Sequence, residues 1–139
     1  MKNPKIAVVQ FEINQYQPEK NLAKAEEFIK KAASRADLIV FPEDFITGPL
    51  IKKVEFADSS KKYVKFFQEL AKKYNIDIVP GSIIEKDNFG LYNTTYYINS
   101  NGKILSEYQK NDVPPRLKRH GLKRHSFFGC SRNLSSSLT

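Results

Sequence analysis

Short apolar runs alternate with amphipathic segments along the first part of the chain. Segments 6–11 and 37–41 are rich in apolar and β-branched residues, which is typical of buried strands. Between them, over 18–36, apolar residues recur at helical spacing, with Lys and Glu on the opposite side. Pro18 suits the first turn of this helix, because a proline there loses no intrahelical hydrogen bond. The pattern predicts a strand, a helix and a second strand.

The next segments extend the same alternation. A second helix is capped by Asp58 or Ser59, and its apolar stripe continues to Tyr74. Residues 76–84 then indicate a third strand, interrupted by Pro80-Gly81. This order predicts parallel strands joined by crossover helices that lie on the sheet.

A β-hairpin is predicted after the parallel strands. Segments 91–99 and 103–109 flank Ser100-Asn101-Gly102, and Asn-Gly is a strong hairpin signal. Pairing of this hairpin with the parallel strands gives a mixed sheet in an α/β fold. The second face of such a sheet needs a cover, so we expect exposed apolar surface there, to be covered by a missing remainder or a partner.

Charge divides the chain into two parts. Residues 1–110 carry 17 basic and 14 acidic side chains, whereas residues 111–139 carry six basic side chains and one acidic. No helical or strand period persists in the second part, and its composition cannot bury enough apolar surface to order itself. We therefore expect a folded domain over 1–111 and a basic, Ser-rich, disordered tail over 112–139.

Composition argues against several classes of protein. No apolar run is long enough for a signal peptide or a membrane span. The one cysteine allows no internal disulfide. We therefore expect a cytoplasmic protein without a membrane partner. No Gly-rich phosphate loop is present. His120 and His125 have no acidic or Cys companions, so we expect neither a cofactor nor a metal.

Glu43 is the candidate catalytic residue that the pattern of apolar and polar positions indicates by itself. It follows the apolar segment 37–41, which Pro42 ends because proline cannot extend a central strand. α/β sheets place their chemistry beyond the carboxyl ends of such strands, and a glutamate there can accept a proton. The alternative is a solvated acidic residue in a turn. Asp44 is expected to be a loop or capping residue.

Several motifs occur in a fixed order over the first 110 residues. They are Lys5 to Gln10, Asn21-Leu22, Asp37 to Glu43, Val79-Pro80-Gly81-Ser82, Tyr92-Asn93-Thr94, and Gly102 to Lys110. Together they resemble the nitrilase superfamily of carbon–nitrogen hydrolases. The resemblance implies part of an α-β-β-α sandwich, incomplete at the C-terminus, and hydrolysis of a small-molecule amide or nitrile without metal or nucleotide. It also implies stacking of such sandwiches into homo-oligomers.

The resemblance gives roles to two residues. Glu43 matches the general base that activates a cysteine thiol, and Lys110 matches the lysine that stabilises the tetrahedral intermediate. Alternation along strand 103–109 predicts one set of side chains on the same side: Ile104, Ser106, Tyr108 and Lys110. Glu85 has two open interpretations, a support for the base or the lysine and a surface residue at a strand end.

The chain departs from the family pattern after Lys110. Cys130 lies at a plausible distance for the nucleophile, but it follows Phe127-Phe128-Gly129 rather than a strand, so we do not assign it that role. A frameshift or premature end near codon 111 explains the change best. The expectation is a hydrolase domain without its nucleophilic cysteine, and therefore without catalytic activity.

A non-enzymatic α/β module whose basic tail binds nucleic acid or a protein partner is the alternative. Arg116 to His125 contains five Lys and Arg residues, which is compatible with such binding. No aromatic residues or recognition helix accompany them, so we do not expect nucleic acid. Salt-sensitive binding that is lost on deletion of 112–139 would favour the alternative.

Overall fold

Six strands and two α-helices make up the computed structural model, which describes residues 2–50 and 53–110. The elements are β1 (Ile6–Val8), α1 (Pro18–Ala32), β2 (Leu38–Val40), a 3₁₀ turn (Val54–Phe56), α2 (Lys62–Tyr74), β3 (Asp77–Val79), β4 (Ser82–Asp87), β5 (Gly90–Ile98) and β6 (Ile104–Lys110). All six strands belong to one mixed sheet. The predicted α/β class is confirmed.

The sheet joins a parallel half to an antiparallel half. β1, β2 and β3 are parallel neighbours, and α1 and α2 are the crossovers between them. β5 has two partners at Thr95, which pairs with Ser82 of β4 and Tyr108 of β6. β4 and β6 therefore flank β5 on opposite edges. Ile98 likewise pairs with β3 and β6, so β3 and β4 together form one bent strand beside β5.

Both helices cover the same face of the sheet. The buried core on that face is apolar, and both the helices and the strands contribute to it. It includes Ala25, Ile29, Ile39, Phe67, Ile78 and Ile98. Phe41, Phe45 and Phe67 have ring centroids 4.9–5.9 Å apart, which packs the segment after β2 against α2. This aromatic cluster fixes the carboxyl end of β2 from the helix side.

The opposite side of the sheet, here called the outer face, has no covering layer among the described residues. Ile6 and Val8 of β1 are 56% and 78% exposed, and Tyr108 of β6 is 59% exposed. Along β1, Ile6 and Val8 alternate with Ala7, which packs against the core on the helix side. The apolar surface expected from the sequence is present on this face.

Two helix boundaries differ from the predicted ones. α1 ends at Ala32 rather than at residue 36, and α2 begins at Lys62 rather than directly after Asp58 or Ser59. Asp58 still accepts a hydrogen bond from the Tyr63 backbone N–H at 2.9 Å, so it caps the first turn across an intervening loop.

One prediction about β6 is wrong. A register shift places Ile104 opposite Ile98 and Ser106 opposite Tyr97, so a β-bulge breaks the alternation at this point. Ile104 packs against the core, whereas Tyr108 and Lys110 lie on the outer face. The bulge changes which side of the strand every later residue faces.

The predicted tail, 112–139, lies outside the described residues, together with His120, His125, Cys130 and the domain boundary at 111. No helix in the described part of the chain is long and apolar enough to cross a membrane.

Candidate active site

Glu43 lies immediately beyond the carboxyl end of β2, as the sequence predicts. The Phe41 backbone N–H donates to the Val79 carbonyl oxygen at 2.9 Å, which continues the pairing with β3 to the last residue before Pro42. The chain then turns through Glu43 and Asp44, and Asp44 adopts a positive φ of 51°. Glu43 is thereby lifted off the sheet, and its side chain is 58% exposed.

Gly81 holds the turn before Glu43 from the neighbouring strand. Its φ is +67°, and a Cβ at this position would lie 1.9 Å from the Pro42 carbonyl oxygen. Only glycine allows this approach, because both the backbone conformation and the contact exclude a side chain. The Thr95 hydroxyl donates to the Gly81 carbonyl oxygen at 2.5 Å and attaches the same corner to β5.

Asp44 and Ser82 clamp the other side of the turn. The Asp44 N–H donates to Ser82 Oγ at 3.1 Å, and the Ser82 hydroxyl donates to Asp44 Oδ1 at 2.8 Å. Burial raises the pKa of Asp44, and the hydrogen bond from Ser82 opposes this rise. Asp44 is therefore part of the loop scaffold, in agreement with its predicted role.

Asn21 fixes the far end of the same loop. This residue of α1 is fully buried, and its amide donates to the Ile46 carbonyl oxygen at 2.9 Å and to the Asn14 carbonyl oxygen at 2.8 Å. The loop after β2 is thus tied to the start of α1 as well as to β4. These contacts explain why Asn21 accompanies Glu43 in the motif set.

Lys110 ends β6 and reaches Glu43 from the opposite side. Its Nζ lies 3.2 Å from Glu43 Oε1, although 67 residues separate the two along the chain. Both side chains are about half exposed, at 48% for Lys110 and 58% for Glu43. The structure therefore brings the two predicted site residues together; their catalytic roles stay a prediction.

A cavity of about 450 Å³ lies beside this pair on the outer face. Its wall combines apolar and polar side chains, namely Phe41, Glu43, Val79, Gly81, Ser82, Asn93, Thr95, Tyr108 and Lys110. The size is that of a small-molecule site. The acid, the amine and the amide of Asn93 lie within one cavity wall, where a polar small molecule can meet all three.

Glu85 does not belong to this cavity, and both interpretations from the sequence are wrong. It is 3% exposed and faces the helices, where its Oε2 accepts from Lys61 Nζ at 2.6 Å. The Tyr96 hydroxyl donates to its Oε1 at 2.8 Å. Burial lowers the pKa of Lys61, but the hydrogen bonds to Glu85 and Tyr96 outweigh burial and raise it. This buried cluster attaches the start of α2 to the sheet.

Ser82 and Asn93 line the cavity, but their positions in the sequence predict no role for them. They occur in the quoted motifs, but nothing local shows that they contact Asp44 and Glu43, which lie 38 and 50 residues away. The feature that points to Asn93 is the alternation of side chains along β5. Thr94, Tyr96 and Ile98 are buried on the helix side, which places Asn93 and Thr95 on the outer face.

The two-layer α/β domain with its mixed sheet is the fold of nitrilase-type proteins. An amidase from Nesterenkonia sp. matches it with a TM-score of 0.70 at 20% sequence identity, over 83% of this chain and 46% of that one. The Helicobacter pylori G27 carbon–nitrogen hydrolase matches with a TM-score of 0.70 at 18% identity, over 83% of this chain and 42% of that one. At these identities the likeness concerns the fold.

Sequence comparison identifies the family. The model of the family described as Carbon-nitrogen hydrolase matches residues 5–133. The 2-oxoglutaramate amidase of Bacillus subtilis (strain 168) is 37% identical over 117 residues, which are 83% of this chain and 45% of that protein. The citrullinase of Francisella tularensis subsp. tularensis is 35% identical over 122 residues, 82% of this chain and 42% of that protein. The chain belongs to the carbon–nitrogen hydrolase family, as the motifs predict, and spans less than half the length of these relatives.

Proposed function

We propose that this chain carries the general base and the lysine of a site that hydrolyses a non-peptide carbon–nitrogen bond. Glu43 accepts the proton of a cysteine thiol, and Lys110 stabilises the negative charge that develops on the attacked group. The observation that supports this proposal most directly is the 3.2 Å contact between Glu43 Oε1 and Lys110 Nζ at the wall of one cavity. Family membership supports the same reaction class.

For an amide substrate, the reaction proceeds through a thioester. Glu43 removes the thiol proton, the thiolate sulfur bonds to the amide carbon, and the carbonyl electron pair moves to oxygen beside the Lys110 ammonium. Collapse of this intermediate breaks the C–N bond, and the leaving nitrogen takes the proton from Glu43. Water, deprotonated by Glu43, then cleaves the thioester and regenerates the thiol.

The nucleophile is the part of this route that the chain does not visibly supply. Residues 2–50 and 53–110 contain no cysteine, and the one cysteine of the sequence, Cys130, is preceded by the short sequence Phe127-Phe128-Gly129. We propose that the chain on its own does not turn over, because loss of the nucleophile removes the covalent route. Homo-oligomer formation through the exposed apolar side chains of β1, Ile6 and Val8, is part of the same proposal.

Ligand binding tests the site without requiring turnover. Titration of a ¹⁵N-labelled chain with 2-oxoglutaramate, a simple aliphatic amide and an aliphatic nitrile should move backbone resonances around the cavity, including those of Glu43 and Tyr108. Lys110→Met should abolish the changes. Lys86→Met, at an exposed position on β4, is the matched control and should leave them intact. Changes scattered away from the cavity would contradict the proposed site.

Turnover is tested in parallel by ammonia release from the same compounds. We expect no release above the buffer blank for the wild-type chain or for Cys130→Ser. Release that Cys130→Ser abolishes would show that Cys130 is the nucleophile and that the proposal of inactivity is wrong. Release that survives Cys130→Ser would identify a route without a cysteine, which contradicts the proposed mechanism.

A further inference from the structure

Asn93 contacts the carboxylate of the proposed base from the neighbouring strand. It lies on β5, directly opposite Lys110 in the register of β5 and β6. Its Nδ2 donates to Glu43 Oε1 with an N–O distance of 3.4 Å, and Lys110 Nζ donates to the same oxygen at 3.2 Å. Two donors on adjacent strands therefore converge on one carboxylate oxygen.

The two oxygens of Glu43 are consequently different. Oε1 accepts both hydrogen bonds, whereas Oε2 accepts none from residues 2–50 or 53–110. A carboxylate that acts as a base needs one oxygen to receive the proton and benefits from a second that fixes its orientation. Contacts confined to Oε1 provide this arrangement.

The orientation of the Asn93 amide leaves its own oxygen unsatisfied. Oδ1 is buried and has no hydrogen-bond partner in the described part of the chain. The reversed amide would turn this oxygen toward the Glu43 carboxylate, which is repulsive, so the contact with Glu43 defines which end is the donor. A leucine of similar size would fill the space without a buried acceptor. The presence of an amide side chain at position 93 is thus explained by its hydrogen bond to Glu43 and not by packing.

Asp44 is a second carboxylate near the same amide. Burial raises the pKa of Asp44, and hydrogen bonds from Ser82 and then Asn93 oppose that rise. Because Glu43 and Asp44 are adjacent in sequence, the contact of Asn93 with Glu43 also bears on the turn that Asp44 and Ser82 hold.

We infer that Asn93 is a positioning residue of this site, whose amide holds Oε1 of Glu43 beside Lys110 so that Oε2 accepts the proton of the nucleophile. The inference rests on the proposed role of Glu43 as the base. Asn93 itself takes no proton and forms no bond to substrate in this assignment.

Zero-length carbodiimide cross-linking with mass spectrometry tests the contact. It joins Glu43 to Lys110 only when the carboxylate stays beside the amine, and the exposed Lys73–Glu26 pair, at 2.8 Å, is an internal reference for the folded state. Asn93→Leu should lower the Glu43–Lys110 yield relative to the reference by roughly threefold, as expected for one lost hydrogen bond. Asn88→Leu, the same substitution at an exposed position in the turn between β4 and β5, should leave the ratio unchanged because Asn88 lies outside the cavity wall.

The outcomes separate this inference from the proposed function. An unchanged ratio in Asn93→Leu, with the reference pair intact, overturns the role of Asn93 and leaves the proposed function standing. Absence of the Glu43–Lys110 cross-link in the wild-type chain instead overturns the proposed pair. A loss of both cross-links in Asn93→Leu reports unfolding, and a second measurement then decides.

That second measurement leaves Asn93 unchanged. In proton–nitrogen NMR spectra at neutral pH, one side-chain amide proton of Asn93 should lie downfield of its position in Glu43→Gln, because a carboxylate is a stronger acceptor than an amide oxygen. Glu55→Gln, at an exposed site away from the cavity wall, is the control and should cause no shift. Identical Asn93 positions in the wild-type chain and Glu43→Gln would overturn the inference.

Discussion

Gly81 determines where Glu43, the proposed base, lies, although Gly81 has no side chain. Alanine at this position must adopt a φ near +67° and places a Cβ 1.9 Å from the Pro42 carbonyl oxygen, a backbone atom that cannot rotate away. We expect Gly81→Ala to lower the free energy of unfolding by about 3 kcal/mol, from left-handed strain plus displacement of the Pro42 turn. Urea denaturation of the purified chain measures this loss.

Gly90→Ala is the matched control, because Gly90 also has a positive φ, but apart from its chain neighbours no atom of the described residues lies within 4 Å of a Cβ at this position. Its cost should be limited to backbone strain and should stay well below that of Gly81→Ala. Equal losses for the two variants would show that the contact with Pro42 is unimportant.

Asp44 makes the stability of the chain depend on pH in a defined direction. Its folded-state pKa is raised above the ordinary value of 3.8 by burial, so the folded chain binds the proton more tightly than the unfolded chain. Stability from this group is present at low pH and falls as pH rises through the folded pKa. Ser82→Ala removes a hydrogen bond that lowers the pKa, so the fall should extend to higher pH.

The measurement is the free energy of unfolding across the acid range for the wild-type chain, Ser82→Ala and Asp44→Asn. Other carboxyl groups titrate in every variant. The difference in the free energy of unfolding between each chain and Asp44→Asn therefore isolates the contribution of Asp44. Ser82→Ala also loses the acceptor for the Asp44 N–H, which adds a pH-independent cost of about 1 kcal/mol. A pH profile of Asp44→Asn that matches the wild-type profile would contradict the assignment.

At the scale of elements, the sequence predicts well where the signal is local. The apolar run of β2 with its closing proline, and the hairpin turn at Asn101-Gly102, lie where they are expected. β4 extends to Asp87, beyond the predicted end. The prediction stopped short because Glu85, Lys86 and Asp87 are charged residues that are not typical of strands. The carboxylate of Glu85 is accommodated by Lys61, a partner 24 residues away that no local pattern reveals.

The candidate site shows the same limit. Glu43 follows from strand pattern, but its proximity to Lys110 follows only from the family resemblance, since 67 residues intervene. The bulge in β6 could not be predicted, because one extra residue changes the facing of side chains without changing the composition. Side-chain partners across strands, such as Asn93 for Glu43, depend on register, which the sequence alone does not define.

The cluster of Lys61, Glu85 and Tyr96 should stabilise the junction between α2 and the sheet. Lys61→Met leaves the Glu85 side chain, which is 4% exposed, without its counter-ion, and Tyr96 is then the one donor to it within residues 2–50 and 53–110. Because Lys61 itself is half exposed, we expect a loss of about 2 kcal/mol in the free energy of unfolding, below that of a fully buried pair.

Lys73→Met is the matched control, since the Lys73–Glu26 pair has comparable geometry but lies exposed on the helices. Its loss should be clearly smaller than that of Lys61→Met, because solvent screens an exposed ion pair. Adding Glu85→Gln to Lys61→Met should recover part of the stability, because it removes the unpaired buried charge. Equal losses for the two lysine variants would show that Glu85 is not the reason for the contact.

The whole molecule presents an asymmetric sheet, with helices on one face and the candidate site on the other. The exposed side chains of Ile6 and Val8 lie on β1, which among the described residues pairs only with β2 and so offers an open edge. We expect the chain to self-associate through this surface, with a weight-average mass in sedimentation experiments that rises with protein concentration.

Replacing Ile6 and Val8 together with lysine should suppress that association. Because both side chains are already solvent-exposed, the free energy of unfolding should change by no more than about 0.5 kcal/mol per position. The double substitution Glu12→Lys and Glu19→Lys, at exposed positions outside the strands, changes the charge without removing apolar surface and is the control. A wild-type chain that stays monomeric at every concentration would contradict the proposed oligomer. Association that both double variants suppress equally would mean that charge, rather than the apolar outer face, controls it.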